Sequence, residues 1–380
     1  MKNLKFYTFL LLLLGGTVNT FAQMSLEQAL RKAKSENKLV FVDCYFTGCI
    51  PCEKMDQDVF PNAAVKKALD ERFVTLKVNV FTEKLGDTLK VQHIMNGFPT
   101  FLVINGDGRL VLNTSGYKDP GDLILLLNEA SGKAAKGAFL NGYATTYDEN
   151  MYPAIYTEYA KTRKGPMNKE ALAEYSKTVK DFKANSALLP FLIARTSNAD
   201  VAAAILSDYT GYVATYGEDI LQPVVDKALL DRLGNTLNSS STATEFEAFI
   251  SREQKAFPAE AWKVCRQTLS ERYFLGLKKD TTAYLQYQVK YPVVHNFHIT
   301  ALHNSMLMKK QLNPERLALF AAWAKGAITG EHSMDLLEAA ANMCKASGDK
   351  AGQQKFLQMA LAKAKKYQMP YADIEAKMAK

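Results

Sequence analysis

Thiol side chains are concentrated in one short stretch of this sequence. Three of its five cysteines, Cys44, Cys49 and Cys52, lie within nine residues. The Cys49-Ile50-Pro51-Cys52 spacing suits a redox-active disulfide or half of a tetrahedral zinc site. Zinc needs further ligands, but there is no second C-x-x-C, and His93 is the only histidine among the first 290 residues. The pattern therefore favours thiol–disulfide chemistry over zinc, with no metal and no cofactor beyond the disulfide itself.

The position of the pair along the chain assigns a role to each sulfur. A short run from Leu39 to Cys44, apolar on both faces, predicts a buried strand, and residues 48–52 form a turn before a helix. At a helix N-terminus, free N–H groups and the helix dipole stabilise a thiolate. We therefore expect Cys49 to be the nucleophile and Cys52, one turn further on, to resolve the mixed disulfide.

The neighbouring elements alternate between helix and strand. Ser25 and Gln28 have the spacing of a capping box and predict a helix to about Glu36. Further helices are predicted over 62–72, 83–92 and 121–130, a strand over 73–80, and a hairpin with strands over 100–104 and 109–113. Parallel strands first and an antiparallel hairpin last predict an α/β fold with a mixed sheet covered on both faces.

Residues 25–130 resemble the thioredoxin family over five landmarks that occur in the family's order. Besides the cysteine pair, these are Asp43 at the end of the first strand, Lys77 in the second, the Gly97-Phe98-Pro99-Thr100 segment and Gly116. The resemblance implies the thioredoxin fold, a mixed sheet flanked by helices. It also implies redox activity on protein substrates that carry disulfides or thiols, with an unidentified electron donor or acceptor.

The resemblance also implies roles for the residues around the cysteines. Asp43 would be buried beneath Cys52 as its proton acceptor, with Lys77 as its partner, and burial would raise the pKa of the Asp43 carboxyl. The Phe98–Pro99 bond would be cis, so that residue 98 can pair with an extended substrate. Gly116 would let that substrate approach.

Three residues depart from the thioredoxin pattern. Gly48 stands where the family has tryptophan, so an aromatic shield is missing; Ile50 replaces the usual glycine, and Glu53 stands where a cation is common. The segment is more similar to short exported thioredoxin-like proteins and to the periplasmic domain of thiol:disulfide interchange transporters. The motif does not fix the direction of electron flow, although reduction or isomerisation is favoured over oxidation.

The first 22 residues have the pattern of a secretory signal peptide. Lys2 and Lys5 precede an apolar run over residues 6–18, and Thr20 and Ala22 provide small residues before a cleavage site. The protein is thus expected to be periplasmic or otherwise exported, with no stable membrane insertion after cleavage. An uncleaved anchor is the alternative. An odd number of cysteines argues against a purely structural disulfide framework in such a protein.

Length and composition predict two domains of ordinary globular character. The net charge of +8 is not gathered into a basic stripe with aromatic residues, which argues against nucleic acid as a partner. We expect a signal peptide over 1–22, a thioredoxin-like domain over 23–131, a linker over 132–142 and an all-α domain over 143–380. Few contacts should cross the linker, and the helical domain should select the target while being dispensable for chemistry.

The C-terminal region shows helical periodicity broken by proline, glycine and asparagine, which is typical of a stack of helical hairpins. Leu337–Pro370, with Gly348 between two apolar helices, has roughly the spacing of a tetratricopeptide repeat, but the period does not recur. Cys265 and Cys344 lie on apolar helical stripes and are expected to be core thiols, although a disulfide between them stays open.

The remaining candidates for chemistry are weaker. Cys44 should point to the face opposite Asp43 as a small buried hydrophobe rather than a third redox thiol. His295, His298 and His303 do not have a metal-binding spacing. The leading hypothesis is an exported protein-disulfide oxidoreductase. The rival is a non-catalytic adaptor, while a peroxide-reducing enzyme is disfavoured because no arginine lies near Cys49 in the sequence to polarise a peroxide.

Overall fold

The structure is a computed structural model that describes residues 24–162, 165, 167–184, 186–295 and 298–379. The predicted signal peptide over 1–22 lies outside the described residues. Within the described part of the chain, none of the helices combines the length and apolarity needed to cross a bilayer.

A four-stranded mixed sheet organises the N-terminal region. Its strands are β1 (Leu39–Tyr45), β2 (Phe73–Asn79), β3 (Thr100–Ile104) and β4 (Leu110–Ser115), in the spatial order β2-β1-β3-β4. β1 pairs in parallel with β2 and antiparallel with β3, and β3 pairs antiparallel with β4. The predicted mixed sheet, with parallel strands first and a terminal hairpin, is confirmed.

Helices flank both faces of this sheet, as the sequence predicted. They are α1 (Leu26–Glu36), α2 (Ile50–Lys54), α3 (Ala63–Arg72), α4 (Lys84–Gln92) and α5 (Pro120–Ala135). The capping box is present, since Ser25 Oγ accepts from the Gln28 amide and the Gln28 side chain accepts from the Ser25 amide. A π-helical turn, Met55–Val59, connects α2 to the loop before α3 and was not predicted.

The side chains of β1 alternate between two apolar cores, because successive residues of a strand point to opposite faces. Val40, Val42 and Cys44 lie in the core shared with α1 and α4, while Phe41 faces the core shared with α3 and α5. Cys44 is fully buried and unpaired. Its placement on the face opposite Asp43 is the one that the sequence predicted.

The described residues beyond α5 are predominantly helical, with no strand among them. The helices range from six to nineteen residues in length. They are α6 (Ala154–Thr162), α7 (Lys169–Thr178), α8 (Leu189–Ala194), α9 (Ala199–Ser207), α10 (Tyr209–Tyr216), α11 (Glu218–Thr236), α12 (Ala243–Glu253), α13 (Ala259–Ser270), α14 (Thr281–Lys290), α15 (His298–Met308), α16 (Pro314–Ala327), α17 (Met334–Ala346), α18 (Lys350–Lys366) and α19 (Ala372–Met378).

Two of these helices, α17 and α18, pack along each other on either side of Gly348. They correspond to the segment with tetratricopeptide-like spacing, and the regular repeat itself stays a prediction. Cys265 and Cys344 are buried, unpaired thiols in two different apolar clusters. They are core residues, and no disulfide joins them.

The expectation that few contacts join the two halves is wrong. One apolar cluster runs from the sheet into helices α6 to α13, and it includes both Val91 and Tyr156. The Tyr156 hydroxyl donates to the Val91 carbonyl at 2.8 Å. Part of the stretch predicted as a linker is helical, because α5 continues to Ala135, and the Leu140 amide donates to the Leu110 carbonyl. Most residues over 131–142 are exposed, so the contacts between the two halves are made mainly by the segments on either side.

The C-terminal helices also return to the sheet domain. Lys363 of α18, whose side chain is only 2% exposed, lies 2.6 Å from Asp122 and 3.4 Å from Asp119 at the N-terminus of α5. The side-chain Nδ2 of Asn62 donates to the carbonyls of Tyr367 and Gln368. The helical region therefore contacts the thioredoxin-like region at two separate places.

Candidate active site

The two cysteines of the motif form a disulfide at the first turn of α2. Cys49 is the N-cap of this helix, and its sulfur accepts from the Cys52 amide at 3.3 Å. The Cα atoms of the pair are 5.2 Å apart, and Pro51 occupies the first turn, where its missing N–H costs no hydrogen bond. The amide at Cys49 Sγ is the type of donor that stabilises a thiolate there once the disulfide is reduced.

The two sulfurs do not differ in exposure in this disulfide state. Cys49 and Cys52 are each 3% exposed, whereas Ile50 between them is 71% exposed. The greater accessibility of Cys49 stays a prediction for the dithiol form.

The Asp43 carboxylate is buried on the strand that leads to the motif. Asp43 is 3% exposed and lies opposite Lys77 in the parallel β1–β2 register. Its Oδ2 is 3.6 Å from the Lys77 ammonium, and no described residue hydrogen-bonds its Oδ1. Burial raises the pKa of Asp43 to about 6, because the nearby Lys77 charge only partly offsets the loss of hydration. Its role toward Cys52 stays a prediction.

Lys77 is shared between two carboxylates, which the sequence did not indicate. Its ammonium forms a closer ion pair with Asp56, in the π-helical turn, than with Asp43, and it lies 4.7 Å from the centroid of the Tyr45 ring. Asp56 also helps to raise the pKa of Asp43 through charge repulsion. No local spacing signals this ion pair, because Asp56 and Lys77 are 21 residues apart in the sequence.

The loop before β3 has the backbone geometry that the Gly97-Phe98-Pro99-Thr100 segment predicted. The Phe98–Pro99 peptide bond is cis. The Gly116 amide donates to the Pro99 carbonyl at 2.8 Å, so the two predicted substrate-contacting segments lie side by side. Gly116 has a φ of +93°, and a Cβ added there would meet no atom within 4 Å, so this backbone borders open space. Substrate binding by Phe98, Pro99 and Gly116 stays a prediction.

Three phenylalanines cluster at the same end of the sheet. The rings of Phe46, Phe81 and Phe98 lie with centroids 5.1 to 6.0 Å apart, and Phe81 is 52% exposed. Phe46 precedes the motif by three residues, and its carbonyl accepts from the Cys49 amide. The position of Gly48, with φ at +86°, carries no aromatic ring, but an aromatic surface is present nearby on other elements.

The histidines of the helical region have local partners. His298 Nε2 is 2.9 Å from the Tyr284 hydroxyl and 3.4 Å from Glu271, and the His303 ring packs edge-on against Phe320. Within the described residues, no three His, Cys, Asp or Glu side chains are arranged to hold a metal ion.

Comparison with known families matches residues 26–131 to the family described as thioredoxin-like domain. No curated protein matches the chain. The match covers the whole sheet, helices α1 to α4 and most of α5, and it contains the cysteine pair, Asp43, Lys77 and the cis-proline loop. The family match therefore shows that residues 26–131 are a thioredoxin-like domain.

Proposed function

We propose that the protein is an exported thiol:disulfide oxidoreductase that acts on protein disulfides, as a reductase or isomerase. The observation that carries the proposal is the Cys49–Cys52 disulfide at the N-terminus of α2, on the strand–turn–helix that also holds the buried Asp43. A thiolate at this position is stabilised before it attacks, and a second thiol is in place to release it.

The reaction consists of two exchanges. In the dithiol form, the Cys49 thiolate attacks one sulfur of the substrate disulfide, an S–S bond forms between enzyme and substrate, and the other substrate sulfur leaves as a thiolate that takes up a proton from water. Cys52 then loses its proton and attacks Cys49 Sγ, which releases the second substrate thiol. The substrate gains two electrons and two protons, and the enzyme ends as the disulfide. A dithiol reductant must restore the starting form.

A proton acceptor for Cys52 is the main requirement of the second exchange. With a pKa of about 6, Asp43 is largely ionised at neutral pH and accepts a proton more readily than an ordinary aspartate does. Lys77 keeps the carboxylate from becoming fully neutral, because its charge favours the ionised form.

The test uses the protein without residues 1–22 and measures both its turnover and the covalent intermediate. We expect it to reduce insulin with dithiothreitol as electron donor. Cys52→Ser should accumulate a mixed disulfide with the substrate, whereas Cys49→Ser should accumulate none. Absence of turnover together with absence of a trapped intermediate would support the adaptor alternative. The reduction potential of the pair would then separate reductases from oxidants, whose potentials are higher.

A further inference from the structure

A cleft of about 710 Å³ lies between the thioredoxin-like region and the helical region, next to the cis-proline loop. Its wall on the sheet side consists of the loop before Pro99 and the end of β4, and its opposite wall includes one side of α11. The lining residues that bear on ligand binding are Asn96, Ser115, Lys118, Arg195, Asp219 and Asp226.

The cleft opens directly beside the segments expected to contact substrate. Asn96 lies three residues before Pro99, and Ser115 adjoins Gly116. The Ser115 hydroxyl is 3.0 Å from the Thr100 hydroxyl, so the cleft wall and the cis-proline loop are in contact. A polypeptide that pairs with residue 98 and passes Gly116 would therefore extend into this cleft.

Hydrogen-bond donors without a carboxylate partner gather at this end of the cleft. The half-buried Lys118 ammonium donates to the Ser115 carbonyl at 3.1 Å, and the Arg195 guanidinium donates to the Asn96 carbonyl. No described carboxylate lies within 4 Å of either cation, and the buried Asn96 Nδ2 has no described partner. Asn96 Nδ2 is removed from water without an acceptor, which is costly, and the half-buried Lys118 ammonium has a carbonyl but no carboxylate as its acceptor, so a ligand with acceptor oxygens fits this place.

The carboxylates nearest to Lys118 are already engaged elsewhere. Asp219 accepts from the Thr114 hydroxyl at 2.6 Å, and Asp122 pairs with Lys363 at 2.6 Å. On the α11 wall, Asp226 accepts from Gln222 at 2.8 Å, and burial raises the pKa of Asp226. Burial lowers the pKa of Lys118 in spite of Asp219 and Asp122, which is consistent with an ammonium that lacks a close counter-ion.

We propose that this cleft binds the polypeptide segment flanking the reactive cysteine of the substrate, and that Lys118, with Arg195 and Asn96 beside it, binds an acidic side chain of that segment. The inference rests on the proposed disulfide exchange and adds a substrate class to it. Arg195 lies in the helical region, so this region takes part in choosing the substrate. The proposed ligand is a segment of a protein, because a small disulfide would fill only the space next to the two active-site sulfurs.

The experiment compares cysteine peptides presented as disulfide dimers. One glutamate is moved through the three positions on either side of the cysteine, and a matched series carries glutamine. For at least one position, we expect kcat/KM at low salt to be about tenfold higher for the glutamate peptide than for the glutamine peptide. This is the effect expected of one charge-assisted hydrogen bond. The ratio should fall at high salt.

Charge variants identify the responsible residue. Lys118→Gln should reduce the ratio of kcat/KM for glutamate peptides to that for glutamine peptides to between one and two. Lys118→Glu should reverse the preference, so that peptides with lysine at this position react faster than those with glutamate. Lys66→Gln, the same charge change at an exposed position of α3, should keep the wild-type ratio. Because the reversal is a gain of preference, it cannot result from a partly unfolded variant.

Several outcomes would overturn the inference. Equal rates with glutamate and glutamine at every position would do so, as would a ratio unchanged in both Lys118 variants. If kcat/KM is higher for glutathione disulfide than for hydroxyethyl disulfide by the same factor, the site serves small anionic disulfides rather than polypeptides. If the wild-type chain reduces neither series nor hydroxyethyl disulfide, the proposed function itself fails and the inference falls with it.

Discussion

The ammonium of Lys77 lies 3.6 Å from the buried carboxylate of Asp43 without restoring its ordinary acidity. The pKa of Asp43 is raised to about 6 because burial outweighs the attraction of a lysine that is also paired with Asp56. The carboxylate is thereby ready to take up a proton at a pH only slightly below neutral. This has separate consequences for rate and for stability.

The first prediction concerns the second exchange. Asp43→Asn should slow the resolution of the mixed disulfide at pH 7 by about a hundredfold, the lower end of the usual effect of a general base. The first exchange, carried out by the Cys49 thiolate, should change far less. Rapid-quench measurement of the intermediate separates the two steps. A resolution rate equal to that of the wild type would show that the Cys52 proton leaves by another route.

The second prediction concerns stability. The pKa of Asp43 is higher in the folded state than in the unfolded state, so the folded state binds the proton more tightly, and the contribution of this group to stability falls as the pH rises from about 4 to 6. At pH 7, Asp43→Asn should raise the free energy of unfolding by up to about 3 kcal/mol, the equivalent of this pKa difference. At pH 4 the gain should be small. Urea titrations at the two pH values give both differences, and a gain that does not depend on pH would contradict the linkage.

The third prediction concerns His93, which is buried against Tyr143 and whose Nδ1 has no described partner. Burial lowers the pKa of His93 to about 3, so below pH 6.5 the unfolded state binds a proton that the folded state does not. Stability should therefore fall with decreasing pH, by up to about 1.4 kcal/mol per pH unit from this group. His93→Phe should make the pH dependence between 4 and 6 shallower by that amount. An unchanged slope in urea titrations would show that His93 is protonated in the folded state.

Features set by local spacing were predictable from the sequence, whereas those set by long-range packing were not. The period-two alternation of β1 placed Asp43 and Cys44 on opposite faces, and the resemblance of the Gly97–Thr100 segment to the thioredoxin family implied the cis bond. Nothing local joins Lys77 to Asp56 or Arg195 to Asn96, because these pairs meet only after the chain has folded. The mostly exposed residues of 131–142 gave no sign of the contacts that the following helices make with the sheet domain. The sequence therefore predicted a separable helical region, whereas in the structure this region contacts the sheet domain.

The last prediction tests that integration at Lys363, which joins α18 to the start of α5. Its ammonium lies 2.6 Å from Asp122 and 3.4 Å from Asp119, and it is almost inaccessible to water. Lys363→Met should lower the free energy of unfolding by about 3 kcal/mol, because it leaves carboxylates without their counter-ion in a poorly hydrated place. Lys365→Met is the matched control on the same helix, since Lys365 is half-exposed in its pair with Glu375 and should change stability by less than about 0.5 kcal/mol. Urea unfolding of the wild type should also show one common transition for the sheet and helices α6 to α13, since one apolar cluster spans them. Two separate wild-type transitions, or equal effects of the two methionine variants, would show that the two halves are independent after all.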